Sequence, residues 1–407
     1  MRGVRDGGVY GGPYHLLLFP TDRCNLDCFF CYTDSLRRVA AELDWGVLHR
    51  ALEEACDHGL KGVSLGGGGE PLIYRGMAPL MEFIRERGLG IDSIKTNGTA
   101  ITEAMAEALL RACLRRITVS LNETEPAEYA RMNRCPERLF HQAMRGIAAM
   151  VDGKRRLASD CEVSVQVFVW KQNIARLPAM IATAMGTGAD LVYVNTIDLL
   201  PEADRMDAAQ RDALAATVRE AMAEHGDRLS LNLAGEGLQD VAIEEVYKAA
   251  RQLPDLVTTP NRIEYCVIGW HSPTITASGD VFPCCHFATD PSRTLGSLHD
   301  AGLQKIWTGR LARQYREEMR ALMLAEADPA LLPACTKFIH RLCMGRSDCA
   351  FNYYLARPKV YMALHEWAEG GPRSAYKRRA RLANRLRGAA EKGGRALRRL
   401  AGRDGGK

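Results

Sequence analysis

The sequence predicts an α/β protein: a partial (β/α)6, TIM-barrel-like barrel, followed by a small cysteine-rich domain and a basic helical tail. Three observations predict it. Six short β-rich runs alternate with helical stretches, six of the 13 cysteines lie from Cys266 onward, and the final segment is strongly basic. At 407 residues the chain exceeds one ordinary core and calls for two or three domains. Its 47% apolar and 25% charged residues are the balance of a folded globular protein, which excludes disorder as the default.

The strand-like runs are "HLLLFPT" from His15, "GVSLGGGG" from Gly62, "IDSIKTNG" from Ile91, "RRITVSLNE" from Arg115, "CEVSVQVFVW" from Cys161 and "DLVYVNTI" from Asp190. Helical stretches such as "DWGVLHRALEEACDHG" and "ITEAMAEALLRACLR" separate them, so strand, helix and strand recur at roughly 30 residues as in βαβ units. Six strands are too few for a closed eight-stranded barrel, so an open or partial one is expected. Its chemistry belongs at the C-terminal strand ends. Alanine- and glutamate-rich helical text follows from Pro201 to Pro260. "ITASGDVFPCC" then reads as a hairpin turning at Ser278, Gly279 and Asp280. The expected divisions are an N-terminal segment 1–11, a barrel 12–215, a helical connector 216–260, a cysteine-bearing domain 261–355 and a tail 356–407.

From Gly371 onward there are 13 basic and 2 acidic residues, a charge of +11, so the remainder of a chain that totals +5 carries −6. Leu382, Leu386, Ala390, Leu397 and Leu400 recur at near-helical spacing among the arginines. Such a helix suits an anionic membrane surface, nucleic acid or an acidic partner, and a solvated tail is the plainer reading. No apolar run approaches the ~20 residues of a membrane span, and the chain is expected to be cytoplasmic.

In a reducing compartment clustered cysteines are metal ligands or catalytic thiols rather than disulfides. Cys24, Cys28 and Cys31 sit together just after the first strand, whereas Cys56, Cys113, Cys135 and Cys161 are isolated and read as small buried hydrophobes. Three thiolates at these spacings can converge on one iron-sulfur cube and leave its fourth iron open. A structural zinc would need a fourth ligand in the same loop, and the nearest candidate, His15, lies on the preceding apolar run.

Cys24-x3-Cys28-x2-Cys31, with Phe30 before the last cysteine and "GGEP" from Gly68 after the next strand, resembles the radical S-adenosylmethionine (SAM) superfamily. The resemblance implies the partial six-stranded barrel, a 4Fe-4S cluster on the three cysteines, and SAM bound at the open iron. Reductive cleavage of SAM then yields a 5′-deoxyadenosyl radical that abstracts hydrogen from a substrate, with electrons from a flavodoxin- or ferredoxin-type donor. It further implies that Phe30, Gly68, Gly69, Glu70, Ser120 and Asn122 face SAM. Gly68 and Gly69 would permit close backbone approach, Glu70 would accept from the ammonium group, and Ser120 and Asn122 would reach the ribose or carboxylate. Ser120 and Asn122 read equally as a polar strand end. A turn is expected at Asn97, and Asn195 at another strand end is a candidate to face substrate.

The late cysteines resemble the SPASM extension or its shortened twitch form. Twelve residues separate Cys266 from Gly279, and four separate Gly279 from Cys284, which matches the opening of that extension. Beyond it the pattern departs, offering only Cys335, Cys343 and Cys349, with Phe338 where a cysteine partner would be expected. One auxiliary 4Fe-4S cluster is therefore expected, on Cys266, Cys284 and two of those three. Cys285 is a structural neighbour or a thiol poised to donate hydrogen. In the resembling families the substrate is a peptide or protein, or a small polar metabolite. A non-catalytic iron-sulfur carrier and a nucleic-acid-modifying enzyme are the remaining alternatives, the latter supported only by the basic tail.

Overall fold

A computed structural model describes residues 8–197, 200–233 and 268–325. All of them fall in one compact unit, Met1–Cys349. Cys266, Cys335, Cys343, Cys349, most of the expected connector and the whole basic tail lie outside the described residues.

The first six strands form where the alternation places them: β1 (His15–Leu18), β2 (Gly62–Leu65), β3 (Gly90–Thr96), β4 (Arg116–Asn122), β5 (Glu162–Val169) and β6 (Leu191–Thr196). They pair in sequence order, all parallel. Between them run α1 (Trp45–Asp57), α2 (Met77–Glu86), α3 (Glu103–Arg111), α4 (Pro126–Asn133), α5 (Arg138–Leu157) and α6 (Leu177–Gly186). Two of these six helices start at a capping side chain. Asp44 accepts from the Val47 amide at the head of α1, and Thr102 accepts from the Met105 amide at the head of α3. Helix α1 buries Val47, Leu48, Ala51, Leu52 and Ala55, a spacing that gives it one apolar face.

The sheet has unlike faces. Val63, Leu65, Ile117, Val119, Leu121, Val163, Val165, Val167, Val192 and Val194 enter the same apolar cluster as the buried helix faces, each contributing about 1.5–3 kcal/mol of burial. Residues alternating with these are polar. Register sets Ser64 against Ser93, Lys95 against Thr118, Ser120 against Gln166, Gln166 against Tyr193, and Phe168 against Asn195. A polar band thus crosses the inner face of the partial barrel, and Lys95 on it is exposed.

One strand goes beyond the sequence expectation. After α7 (Ala208–His225) the chain turns at Gly226 and forms β7 (Leu229–Asn232), parallel to β6, inside the segment expected to be a helical connector. Four residues behind a long alanine-rich helix leave too little alternation to mark a strand. The expected hairpin is present as β8 (Thr274–Ile275) and β9 (Asp280–Phe282), with Gly279 at φ +81° in the turn. Beyond it come β10 (Gly296–Ser297), α8 (Leu303–Trp307) and α9 (Arg310–Ala325). Strand β8 pairs in parallel with β1, so the late segment extends the barrel sheet from its first strand.

His15 joins these parts and is no candidate for the cysteine loop. It begins β1, whereas the cysteines follow the strand's other end. Its Nδ1 lies 2.8 Å from Ser272 Oγ and its Nε2 3.0 Å from Ser64 Oγ. Burial, aided by nearby His271, lowers its pKa from 6.5 to about 3. Asp92 Oδ2, 3.5 Å from Nε2, favours the charged form, but it is partly exposed and burial dominates. Because the folded pKa lies below the unfolded one, this contribution is complete above about pH 6.5 and is lost as pH falls toward 3. Unfolding free energies from urea titrations should therefore decline through that window with a slope of up to about 1.4 kcal/mol per pH unit, and His15→Gln should flatten the slope.

Candidate active site

The cysteine loop leaves the C-terminal end of β1 and is tied to its neighbours at each sulfur. Cys28 Sγ donates to Asn133 Oδ1 at 3.0 Å, and Asn97 Nδ2 lies 3.9 Å from Cys24 Sγ. Cys31 Sγ lies 3.3 Å from Thr33 Oγ1, which itself donates to the Gly68 carbonyl at 2.8 Å. Arg37 closes the loop from outside through Leu26 O, Asp27 and Asp34. Burial pushes the Cys24 thiol up to about 11, and it pushes Cys28 higher still, with Cys24 and Cys31 adding their repulsion. These thiols therefore ionise readily only when a cationic centre takes them. The three thiols are close enough for Cys24 and Cys31 to act on Cys28.

The glycine-rich loop after β2 is zipped to the cysteine loop backbone to backbone. Gly66 N donates to Leu18 O, Gly69 N to Thr21 O at 2.7 Å, and Glu70 N to Arg23 O at 2.8 Å. Gly68 has φ +58°, and a Cβ there would lie 2.7 Å from Asp22 Oδ1. At Gly69 a Cβ would fall 1.9 Å from the Arg23 carbonyl oxygen. The close approach that these glycines allow is thus, first, approach to the cysteine loop.

Glu70 is 2% exposed. Its carboxylate accepts from the amides of Asn97 (2.7 Å) and Leu72 (3.1 Å) and from Thr96 Oγ1, while burial raises its pKa. It caps the turn after "GGE" and braces the end of β3, so both oxygens are engaged within the chain. Asn97 makes the expected turn, accepting from Thr99 N at 3.0 Å, and in addition reaches Asn25 and Cys24.

Ser120 and Asn122 end β4, where the ladder with β5 shifts register. Asn122 is buried at φ +65° and donates to Asn133 Oδ1, and its own Oδ1 has no hydrogen-bond partner among the described residues. Phe30 lies half-buried with its ring 4.8 Å from Phe168 on the inner face. Asn133, fully buried, was not legible in the sequence. It sits in "ARMNRC" with no motif around it, yet links Cys28, Asn122 and the Tyr129 carbonyl. Tyr129, also fully buried, holds a hydroxyl without a hydrogen-bond partner among the described residues. Three thiols with buried, unanswered polar atoms beside them fit a cluster and its ligand. In the late segment Cys284 is buried directly after β9 and Cys285 is half-buried beside it.

Residues 18–159 match the family model of the radical SAM superfamily, and residues 266–337 match that of the SPASM iron-sulfur cluster-binding domain. The chain belongs to the radical SAM superfamily. It is an enzyme whose cofactors are SAM, a 4Fe-4S cluster and an auxiliary iron-sulfur cluster. Among curated relatives, the PqqA peptide cyclase of Gluconobacter oxydans is 29% identical over 311 residues, covering 72% of this chain and 76% of that protein. The PqqA peptide cyclase of Xanthomonas campestris is 27% identical over 304 residues, covering 72% and 73%. Streptococcus suis SuiB bound to S-adenosylmethionine shares the fold at a TM-score of 0.55 and 17% identity, over 78% of this chain and 71% of that one. The anSMEcpe protein with bound AdoMet does so at 0.56 and 18%, over 75% and 84%. Among the described residues no helix of this radical SAM enzyme is long and apolar enough to cross a membrane.

Proposed function

We propose that this radical SAM enzyme oxidatively modifies a peptide, forming a new bond within it. The observation that carries the reading is the run of peptide-cyclase relatives aligned over 72% of the chain. The polar inner face supports it, because Lys95, Ser120, Gln166, Tyr193 and Asn195 suit side chains and amides rather than an apolar substrate.

In this reading Cys24, Cys28 and Cys31 hold the catalytic cube. Cys266 and Cys284, with two of Cys335, Cys343 and Cys349, hold the auxiliary one. The family match begins at Cys266 and ends just past Cys335, which supports those positions most. When bound, the cofactors would supply a radical that removes one hydrogen atom and a cluster that accepts the second electron, the second hydrogen leaving as a proton to water. The chain's own part is placement. Gly68, Gly69 and Glu70 hold the SAM-side loop against the cysteines, Asn122 offers its buried Oδ1 toward SAM, Ser120 ends β4 beside it, and Phe30 with Phe168 forms an aromatic wall toward substrate. Cys285 is the position for a hydrogen donor should the product require one. A flavodoxin- or ferredoxin-type donor supplies the reducing electron, and the basic tail is available to an anionic partner.

The test is anaerobic incubation of reconstituted enzyme with SAM, reductant and peptides encoded beside its gene. Deoxyadenosine with a peptide product about two mass units lighter is the expected result, since two hydrogens leave for each bond formed. Deoxyadenosine formed equally with and without every such peptide, while a small polar metabolite is oxidised, would overturn the peptide reading.

A further inference from the structure

The Tyr129 hydroxyl is a polar group beside the cysteine loop that the described chain leaves unanswered. Tyr129 lies on α4, 0% exposed, with its ring edge-on to Phe140 at 5.5 Å. Its oxygen is buried and has no hydrogen-bond partner among the described residues. Burying a hydroxyl without a partner is unfavourable, so a native site that does so has a reason for it.

The position of α4 against the cysteine loop is fixed by three bonds, and a fourth, inside α4, holds the Asn133 side chain. Asp27 N donates to Asn133 O at 3.0 Å and Phe29 N to Met132 O at 3.3 Å. Asn133 Nδ2 donates to the Tyr129 carbonyl at 3.0 Å, and Asn133 Oδ1 accepts from Cys28. Burial holds the phenol's proton in place well above the usual tyrosine range, and Cys135, Cys28, Glu70 and Cys24 are near enough for their charges to add to it, though none of them is a hydrogen-bond partner of the hydroxyl. As thiols Cys24 and Cys28 are weak acceptors, and Cys24 Sγ already takes the Leu26 amide and Asn97 Nδ2; bound to iron as thiolates they become strong ones, whereas Glu70 is already occupied by Thr96, Asn97 and Leu72.

We propose that Tyr129 donates its O–H to a sulfur of the cluster held by Cys24, Cys28 and Cys31, and so sets that cluster's reduction potential. The inference rests on the cluster assignment proposed above. An added electron concentrates negative charge on the cluster sulfurs, and a donor aimed at one of them favours the reduced form. Tyr129 is thus a positioning residue that tunes the cluster and takes no part in hydrogen abstraction.

Tyr129→Phe removes the hydroxyl and little else. In reconstituted full-length enzyme without SAM, followed by redox titration and electron paramagnetic resonance, the variant should keep its iron and shift the barrel cluster to lower potential. The expected size is about tenfold in the one-electron reduction equilibrium, about 59 mV. The auxiliary signal should stay in place and serves as internal reference. Site-specific 3-fluorotyrosine at position 129, a stronger donor of nearly the same shape, should move the potential the opposite way. An unmoved potential in both variants overturns the inference, and so does an unmoved potential accompanied by weaker SAM binding, which would make SAM the partner of the hydroxyl. If alanine at all three loop cysteines removes no iron, the cluster assignment fails and this inference fails with it.

Discussion

Gly69→Ala is expected to remove the barrel cluster almost completely. The new methyl group would lie 1.9 Å from the Arg23 carbonyl oxygen and 2.6 Å from the Asp22 carbonyl carbon. Both are backbone atoms, so no side-chain rotation relieves the clash. The loops must part, breaking the bonds from Gly69 N to Thr21 O and from Glu70 N to Arg23 O. Separation of even about 1 Å between a positioned cofactor and its ligands can cost about a hundredfold in rate. Reconstituted Gly69→Ala protein should therefore hold about half the wild-type iron and cleave SAM at least about a hundredfold more slowly. Gly186→Ala is the control. Nothing lies within 4 Å of its Cβ position at the end of α6, and its iron content and rate should be unchanged.

Glu70→Ala is expected to have the second-largest effect, and through folding as much as through ligand binding. Removing the carboxylate leaves Thr96 Oγ1 and the amides of Asn97 and Leu72 without their acceptor inside the core. Buried donors left unmade cost about 1–3 kcal/mol each, so a loss of roughly 3 kcal/mol or more is expected. Glu70→Gln is the informative comparison. It keeps the shape, but its NH2 must face one of the three donors, so its stability should fall between wild type and alanine. Thermal unfolding of the reconstituted proteins checks the order. Equal midpoints for all three would mean that the carboxylate does not brace the end of β3 and serves ligand binding alone.

The barrel was legible because each of its six strands carries strong β character and is followed by a helical stretch, two of which start at the capping residues Asp44 and Thr102. The seventh was not, since "LSLN" is too short to show a period of two. Among site residues the cysteines and glycines were legible from spacing, because both loops are local in sequence. Why the glycines are needed was only half legible. Their contact with Thr21, Asp22 and Arg23 spans more than 40 positions and exists only once β1 and β2 pair. Glu70 reads as a free carboxylate in "GGGGEP" and proves to be spoken for by β3. Asn133 and Tyr129 carried no signal at all, because what makes them matter is burial beside Cys28, which nothing in "EYARMNRC" encodes by itself.

A catalytic cube on the first three cysteines and an auxiliary cube on the last group together fix how much iron the protein holds. Iron and sulfide should be measured in anaerobically reconstituted protein before and after Cys24, Cys28 and Cys31 are all changed to alanine, alongside reductant-driven deoxyadenosine formation. About eight irons should fall to about four, with deoxyadenosine abolished and the auxiliary resonance retained. About four irons falling to none would contradict the auxiliary cube and remove the acceptor for the second electron. An iron content that does not change would contradict the assignment of the catalytic cube itself.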